Sequence, residues 1–577
     1  MRKFGLLKTV VWSIIILLLL LFYVYIFVHL ENGLQSIFDE GFYFLQLKPD
    51  NVYTTQTKPL ALSGEVLRSI ISSEGGWDVL SLRQAAFGIK AFGIVFLLVC
   101  SVVFIRRDNK SNQLHISSIL SLMSTVLLMG LFVMPSMVIS GNDILLFLGM
   151  LVLALCIVVV TVGSNWIKNF IMVLIGFLAF FAILCSAPGG CMLLFLSFLF
   201  LVFFKGINKK KLLETIMSLF VGMVLGVLVM HFAVISIQGA MDFLKTALFQ
   251  TTNGGSASHH SLSKIAIHTF LDIRDLVLTV TKLCGISYLC NLTQNKLEKR
   301  WLSVVVGVLI FVVVYKWQVK PEIKFASIVT WVLLMSTVLY SNKDNKNKRW
   351  DDIILIVFLY LLPFGLAFGT NIGLLNKVTM FIVPWGVLIF VLSDKTRDLS
   401  KSFSKGMLVF VFAFVLFVFV RGLFHQDNSK TYTFKEESPI ASMQLNVNQK
   451  AFYDEVYDIL KDYGYKSGQD TLLAFCYNEM TVVAMDAVPY TNDQQPEEFL
   501  MHSQEKLVKP SFMILSEWDE KVLSPFFESL DWNFPTSYEV IKLKNNPDPN
   551  SGWVMTQSSL YCLKSRGIVS TEELNIE

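Results

Sequence analysis

As far as residue 423 the chain alternates long apolar runs with short polar connections, and beyond that point the runs become short and mixed. The first apolar run, 10–30, is about twenty residues, long enough to cross a hydrocarbon core of about 30 Å. Residues 1–8 before it are basic, and no small-x-small cleavage site follows it, so it is expected to stay as an anchor. A polar loop at 31–83, punctuated by Gly41, Pro49, Pro59, Gly64, Gly75 and Gly76, predicts turns and short interfacial helices. Apolar runs then follow at 84–105, 116–140, 144–162, 169–187, 192–204, 213–235, 275–292, 301–315, 323–340, 352–368, 378–392 and 406–423. Together they predict about thirteen spans. The weakest is 275–292, which carries Lys282 and several polar residues. No internal repeat of the kind that builds many transporters is visible.

After residue 424 the pattern changes period. Helical spacing at 448–465 puts Phe452, Val456, Ile459 and Leu460 on one face. Runs of strand length at 471–477, 511–515, 538–543 and 559–563, with a helical stretch at 521–530, predict a small α/β layer structure. No Gly-rich phosphate loop opens its helices. The expected fold is therefore mainly α, a polytopic membrane protein of about thirteen transmembrane helices over 1–424, with a small α/β domain over 425–577.

Composition agrees: 54% of the 577 residues are hydrophobic and 16% charged, with mean hydropathy +0.59, against about 25% charged in soluble domains. The net charge of +4 conceals a division. Residues 425–577 hold 12 Lys and Arg against 24 Asp and Glu, leaving 36 basic and 20 acidic residues before them. The basic excess falls in connections between spans, which excludes a nucleic-acid stripe. With a cytoplasmic N-terminus, the cytoplasmic connections hold Arg106-Arg107, Lys209-Lys210-Lys211, Lys299-Arg300 and the clusters at 343–349 and 395–405. The positive-inside rule then places the α/β domain and the 31–83 loop together on the outer side, for a multi-pass protein of the inner (plasma) membrane. Cys100, Cys156, Cys185, Cys191, Cys284 and Cys290 read as small buried hydrophobes, whereas Cys476 and Cys562 are free to pair outside the cytoplasm.

The candidate chemistry lies in that outer loop. Phe38-Asp39-Glu40-Gly41-Phe42-Tyr43 follows the first span, Lys58-Pro59-Leu60 comes about eighteen residues later, and Leu82-Arg83 opens the second span. Carboxylates are costly in hydrocarbon, so a pair at the boundary either ends a helix or serves chemistry there. The set of an Asp-Glu pair with a nearby Tyr, a Lys-Pro element and an Arg entering the second span resembles the GT-C integral-membrane glycosyltransferases. Within these it is most similar to the bacterial branch of aminoarabinose transferases and protein mannosyltransferase-like enzymes. The motifs cover roughly the first 150 residues. The pattern departs from the aminoarabinose group at Thr57, where that group has an acidic residue before Lys-Pro.

The resemblance implies transfer of a monosaccharide from a polyprenyl-phosphate donor to a glycan, lipid or protein acceptor on the outer side, with inversion. A carboxylate in reach takes the acceptor proton, and a cation meets the leaving phosphate. On the motif positions Asp39 is the base, Glu40 its support in orientation or metal binding, Tyr43 a substrate contact, and Lys58 and Arg83 the donor-phosphate ligands. Asp143, in Gly141-Asn142-Asp143, is either an acceptor-positioning or metal-binding residue or a helix cap. Thr370 and Asn371, in Phe368-Gly369-Thr370-Asn371, are a binding element or an ordinary turn. His259 and His260, with His268 further on, are candidate ligands for a divalent cation, against the reading of solvated loop histidines. The rival class is a transporter or flippase of lipid-linked glycans, which would carry ionisable residues deep in its spans.

Overall fold

The computed structural model describes residues 2–32, 41, 44–45, 78–108, 116–134, 140–204, 209–233, 236–239, 241, 262–297, 326–327, 329–331, 350–369, 374–395, 432–475, 478–490, 499–500, 509–544 and 558–564. Among them an apolar helix bundle carries a small mixed sheet at one end. The bundle helices are α1 (Arg2–Val28), α2 (Val79–Asp108), α3 (Ile116–Val133), α4 (Gly141–Thr161), α5 (Asn165–Cys185), α6 (Ala187–Phe203) and α7 (Lys209–Ala233). They are followed by α8 (Leu262–Leu297), α9 (Trp350–Leu366), α10 (Leu374–Val378) and α11 (Val383–Lys395).

Among the described residues five stretches are long and apolar enough to cross a membrane: Thr9–Val28, Val79–Phe104, Gly141–Thr161, Asn165–Cys185 and Lys211–Phe232. Ser118–Leu131, Ala187–Phe203, Ile353–Leu366 and Val383–Leu392 are shorter apolar helices. The predicted spans at 301–315 and 406–423, most of 323–340, and the proposed 424/425 boundary lie outside the described residues. The remaining boundaries move for local reasons. The run at 116–140 is helical from Ile116 to Val133, and Ser140 at its far end caps the next helix. The predicted span 275–292 belongs to one helix of 36 residues, roughly 54 Å at 1.5 Å per residue. Asp272, Arg274 and Asp275 interrupt its hydropathy without interrupting its hydrogen bonds, so the first turns, His268 included, had read as loop.

Helix directions fix which ends meet. Lys90 faces Asp143, and Gly93 faces Phe147 and Met150, so α2 and α4 run parallel from a shared end. Arg83 reaches Leu30, which brings the end of α1 to the start of α2. Leu366, at the end of α9, lies against Gly149 of α4 and Gly189 at the start of α6. Trp385 Nε1 donates to Tyr360 O (3.1 Å), so α11 returns antiparallel to α9, and α10 stands at the end they share. One end of the bundle therefore gathers the end of α1, the starts of α2, α4 and α6, and α10.

The α/β unit begins with α12 (Val447–Asp462), capped by Asn446 and Gln449 in a reciprocal box. It continues through β1 (Thr471–Ala474), α13 (Glu479–Ala484), β2 (Val488–Pro489), β3 (Phe512–Ser516), α14 (Glu517–Ser529), β4 (Tyr538–Lys542) and β5 (Ser558–Leu563). The sheet order is β2-β1-β3-β5-β4. β1 is parallel to β2 and β3, and β5 is antiparallel to both β3 and β4. Strand alternation divides its two faces. Leu472, Phe512, Ile514, Leu560 and Cys562 join the core that continues into the helix bundle. Leu473, Met513, Leu515 and Tyr561 turn to a second core with Phe527, Trp532 and Phe534. The helix expected from 521 starts at 517, because Ser516 and Asp519 form a capping box directly after β3. Cys562 is a free buried thiol, pushed up to about 12 by burial; its proposed partner Cys476 lies outside the described residues.

Candidate functional site

The shared end of the bundle holds a buried charged cluster. Arg83 and Lys90 lie seven residues, about two turns, apart on one face of α2, and both are enclosed at 1% and 0% exposure. Arg83 Nη1 donates to the carbonyl of Leu30 at 2.6 Å. That carbonyl lies just past the last turn of α1, where backbone acceptors lack helical partners and a cation is favoured. Arg83 lies in the second turn of α2, since the helix opens at Val79 rather than at residue 84.

Lys90 completes a second junction. Its Nζ donates to Val133 O at 3.2 Å, at the end of α3, and lies 3.2 Å from Asp143 Oδ1. Asp143 Oδ2 accepts from Ser140 N (2.9 Å) and Ser140 Oγ (2.7 Å), while Asp143 N donates to Ser140 Oγ at 3.3 Å. Ser140 is thus the N-cap and Asp143 the third residue of the helix, closing a capping box. One lysine ties α2, α3 and α4 together. Buried Lys and Asp are expensive unless paired and hydrogen-bonded, and both conditions are met here. Lys90 was missed in the sequence because it sits inside an apolar run. An ionisable residue within a span is itself the signal that would have found it.

The α/β unit is tied to the same end. A strap at 432–445 gives a bridge between Tyr432 and Leu445, and Gln444 N donates to Glu31 O at 2.8 Å. Gln444 Nε2 also donates to the Glu31 carboxylate, and Ser442 Oγ to that of Asp78. Val79 N donates to Pro439 O at 3.1 Å, and Ser438 Oγ to Ala484 O at 2.6 Å. Residues 31 and 78–79, at the two ends of the 31–83 loop, are therefore bonded to this unit.

A second cation missed by the sequence stands on α10. Lys377 is half-buried, and burial lowers its ammonium to about 8. Its short helix is held by Asp272 of α8, whose Oδ2 accepts from Leu375 N at 3.0 Å. Close by in sequence, Gly369 has φ +83°, and a Cβ there would stand 2.4 Å from Pro188 Cβ. The turn and its packing already require that glycine.

Of the residues singled out in the sequence, the structure brings Arg83 and Asp143 to one end of α2 and α4, with Lys90 joining α2 to Asp143. Asp39, Glu40, Tyr43, Lys58, His259, His260, Thr370 and Asn371 lie outside the described residues. Among the described residues no group of three or more His, Cys, Asp or Glu is placed to hold a metal.

The fold defines a helical multi-pass membrane protein with buried charged residues in its bundle and an α/β unit bonded to the adjoining ends of α1 and α2. No family model and no curated protein matches the sequence. Among solved structures it is similar to the oligosaccharyltransferase of Archaeoglobus fulgidus in complex with Zn and sulfate. Identity is 12% and the TM-score 0.44, over 86% of this chain and 67% of that one. It is also similar to ArnT from Cupriavidus metallidurans bound to undecaprenyl phosphate, at 11% identity and TM-score 0.40, over 96% of this chain and 98% of that one. The apo form of that ArnT gives 12% and 0.39 over the same shares. A likeness this loose is one of overall shape, and the functional argument rests on this chain's own residues.

Proposed function

We propose that the chain is a polytopic glycosyltransferase that moves a monosaccharide from a polyprenyl-phosphate donor to a glycan, lipid or protein acceptor at the outer face of the membrane. The observation that carries this reading is the set of buried charged residues, Arg83, Lys90 and Asp143, where α1, α2, α3 and α4 meet. It lies at the end where the loop bearing Asp39-Glu40 leaves α1 and re-enters α2. Lys90 and Asp143 are paired with each other and Arg83 holds the chain that leads into the Asp39 loop, a fixed arrangement that suits a site better than a path for a translocated solute.

In this reading Asp39 accepts the proton of the attacking acceptor hydroxyl, and Glu40 orients it or helps to hold a divalent cation. Lys58 meets the leaving phosphate as its charge develops, and Lys377 is a second cation available at the same end. Arg83, bonded to Leu30 O, serves the site chiefly by holding the chain that leads into the Asp39 loop. Tyr43, Thr370 and Asn371 would contact substrate, and His259 and His260 remain the candidate metal ligands.

The test is sugar transfer from radiolabelled polyprenyl-linked donors in membranes carrying wild type or Asp39→Asn. Asn keeps the size but cannot act as base, so transfer should fall at least about a hundredfold. Equal transfer by the variant reduces Asp39 to a helix end. Movement of lipid-linked sugar across the membrane without transfer would establish the flippase instead.

A further inference from the structure

The residue directly after Glu40 meets the α/β unit. Gly41 sits against the first turn of α13 so closely that a Cβ on it would stand 2.2 Å from Met480 N, and 2.6 Å from both Glu479 C and Met480 Cα. These are backbone atoms, so no side-chain rotation relieves the contact, and only glycine fits. Three and four residues on, Phe44 and Leu45 are buried in the same continuous core as Met480, Val482 and Val483. The loop is thus pressed into the α/β unit immediately beyond its two carboxylates.

The receiving surface is buried. α13 is buried throughout, Glu479 included at 7% exposure, and it follows β1 at the centre of the parallel part of the sheet. Its last residue, Ala484, accepts from Ser438 of the strap, and the strap is bonded in turn to Asp78, Val79 and Glu31. Two routes, one through Gly41 and one through the strap, connect α13 to the ends of α1 and α2.

We infer that the α/β unit is a positioning component of the catalytic site: the Glu479–Met480 backbone is the seat of Gly41, the residue that directly follows Asp39-Glu40 in the chain, and so anchors the loop that bears them. This rests on the glycosyl-transfer reading and adds that catalysis requires the unit to remain docked. A displacement of about 1 Å at a reacting group can cost on the order of a hundredfold in rate. The inserted methyl of Gly41→Ala forces a shift of at least that size.

The test uses the full chain in membranes. Gly41→Ala should lower kcat ten- to hundredfold and leave the donor KM within about twofold. Ser438→Ala with Ser442→Ala loosens the strap without touching Gly41, and should lower kcat by a smaller factor in the same direction. Wild-type kcat in Gly41→Ala, beside a dead Asp39→Asn, would overturn the seat and leave the transferase reading standing. A parallel loss of donor binding and thermal stability in Gly41→Ala, with the strap variant fully active, would also overturn it, as general disruption. If Asp39→Asn is fully active, the transferase reading itself falls and this inference with it.

Discussion

Replacing Lys90 by Met tests whether the charged cluster holds the bundle end together. Met fills a comparable volume without the charge. It would remove the Nζ that lies 3.2 Å from Asp143 Oδ1 and donates to Val133 O. Removing one partner of a buried ion pair costs about 3–5 kcal/mol. Asp143 keeps both Ser140 bonds to Oδ2, which favours the lower end, about 3 kcal/mol, and the orphaned carbonyl adds about 1 kcal/mol. The expected loss of about 4 kcal/mol is roughly a thousandfold in the unfolding constant. Asp143→Asn alone keeps the cap acceptor and should cost about 2 kcal/mol. The double variant should lose about 3 kcal/mol, well short of the summed singles, because neither charge is then left alone. The assay is reversible unfolding in mixed micelles by denaturing-detergent titration, followed by tryptophan fluorescence. A single Lys90→Met within about 0.5 kcal/mol of wild type, or strictly additive singles, would refute the reasoning.

Two further predictions follow from the same end of the molecule. Gly369→Ala places a side chain at φ +83° against Pro188, and should cost at least about 2 kcal/mol, read as a fall in Tm with unchanged activity per folded molecule. Lys377→Gln should raise the donor KM about tenfold and leave kcat nearly intact, as expected of a group that binds the phosphate in ground and transition states alike. In wild type the Lys377 ammonium titrates near 8, so donor affinity should be full below that pH and decline as pH rises through it. The Gln variant should show no such decline, and an identical pH profile in both proteins would remove Lys377 from the donor site.

The apolar spans could be read because partition into hydrocarbon is set residue by residue, and helices satisfy their backbone within the segment. The α/β alternation was legible for a similar reason, since periods of 3.6 and 2 are local. Both readings failed where a cap or a charge decided the boundary: at Ser140, at Ser516, and along α8, where polar residues lower the hydropathy of a continuous helix.

For the candidate site, the Asp39-Glu40, Lys58 and Arg83 order was visible as a motif, together with the side of the membrane it implied. The roles of the neighbours were not. Lys90 meets an aspartate fifty-three positions away, Gly41 meets Met480, and Asp78 meets Ser442. Such contacts depend on how helix ends and loops are packed together, and local periodicity carries no record of that. The sequence by itself determined an apolar bundle and an acidic α/β unit, and offered candidate residues for chemistry. Only the tertiary structure decided that the unit presses on the loop beside its carboxylates, because that contact is made by backbone atoms more than four hundred residues apart.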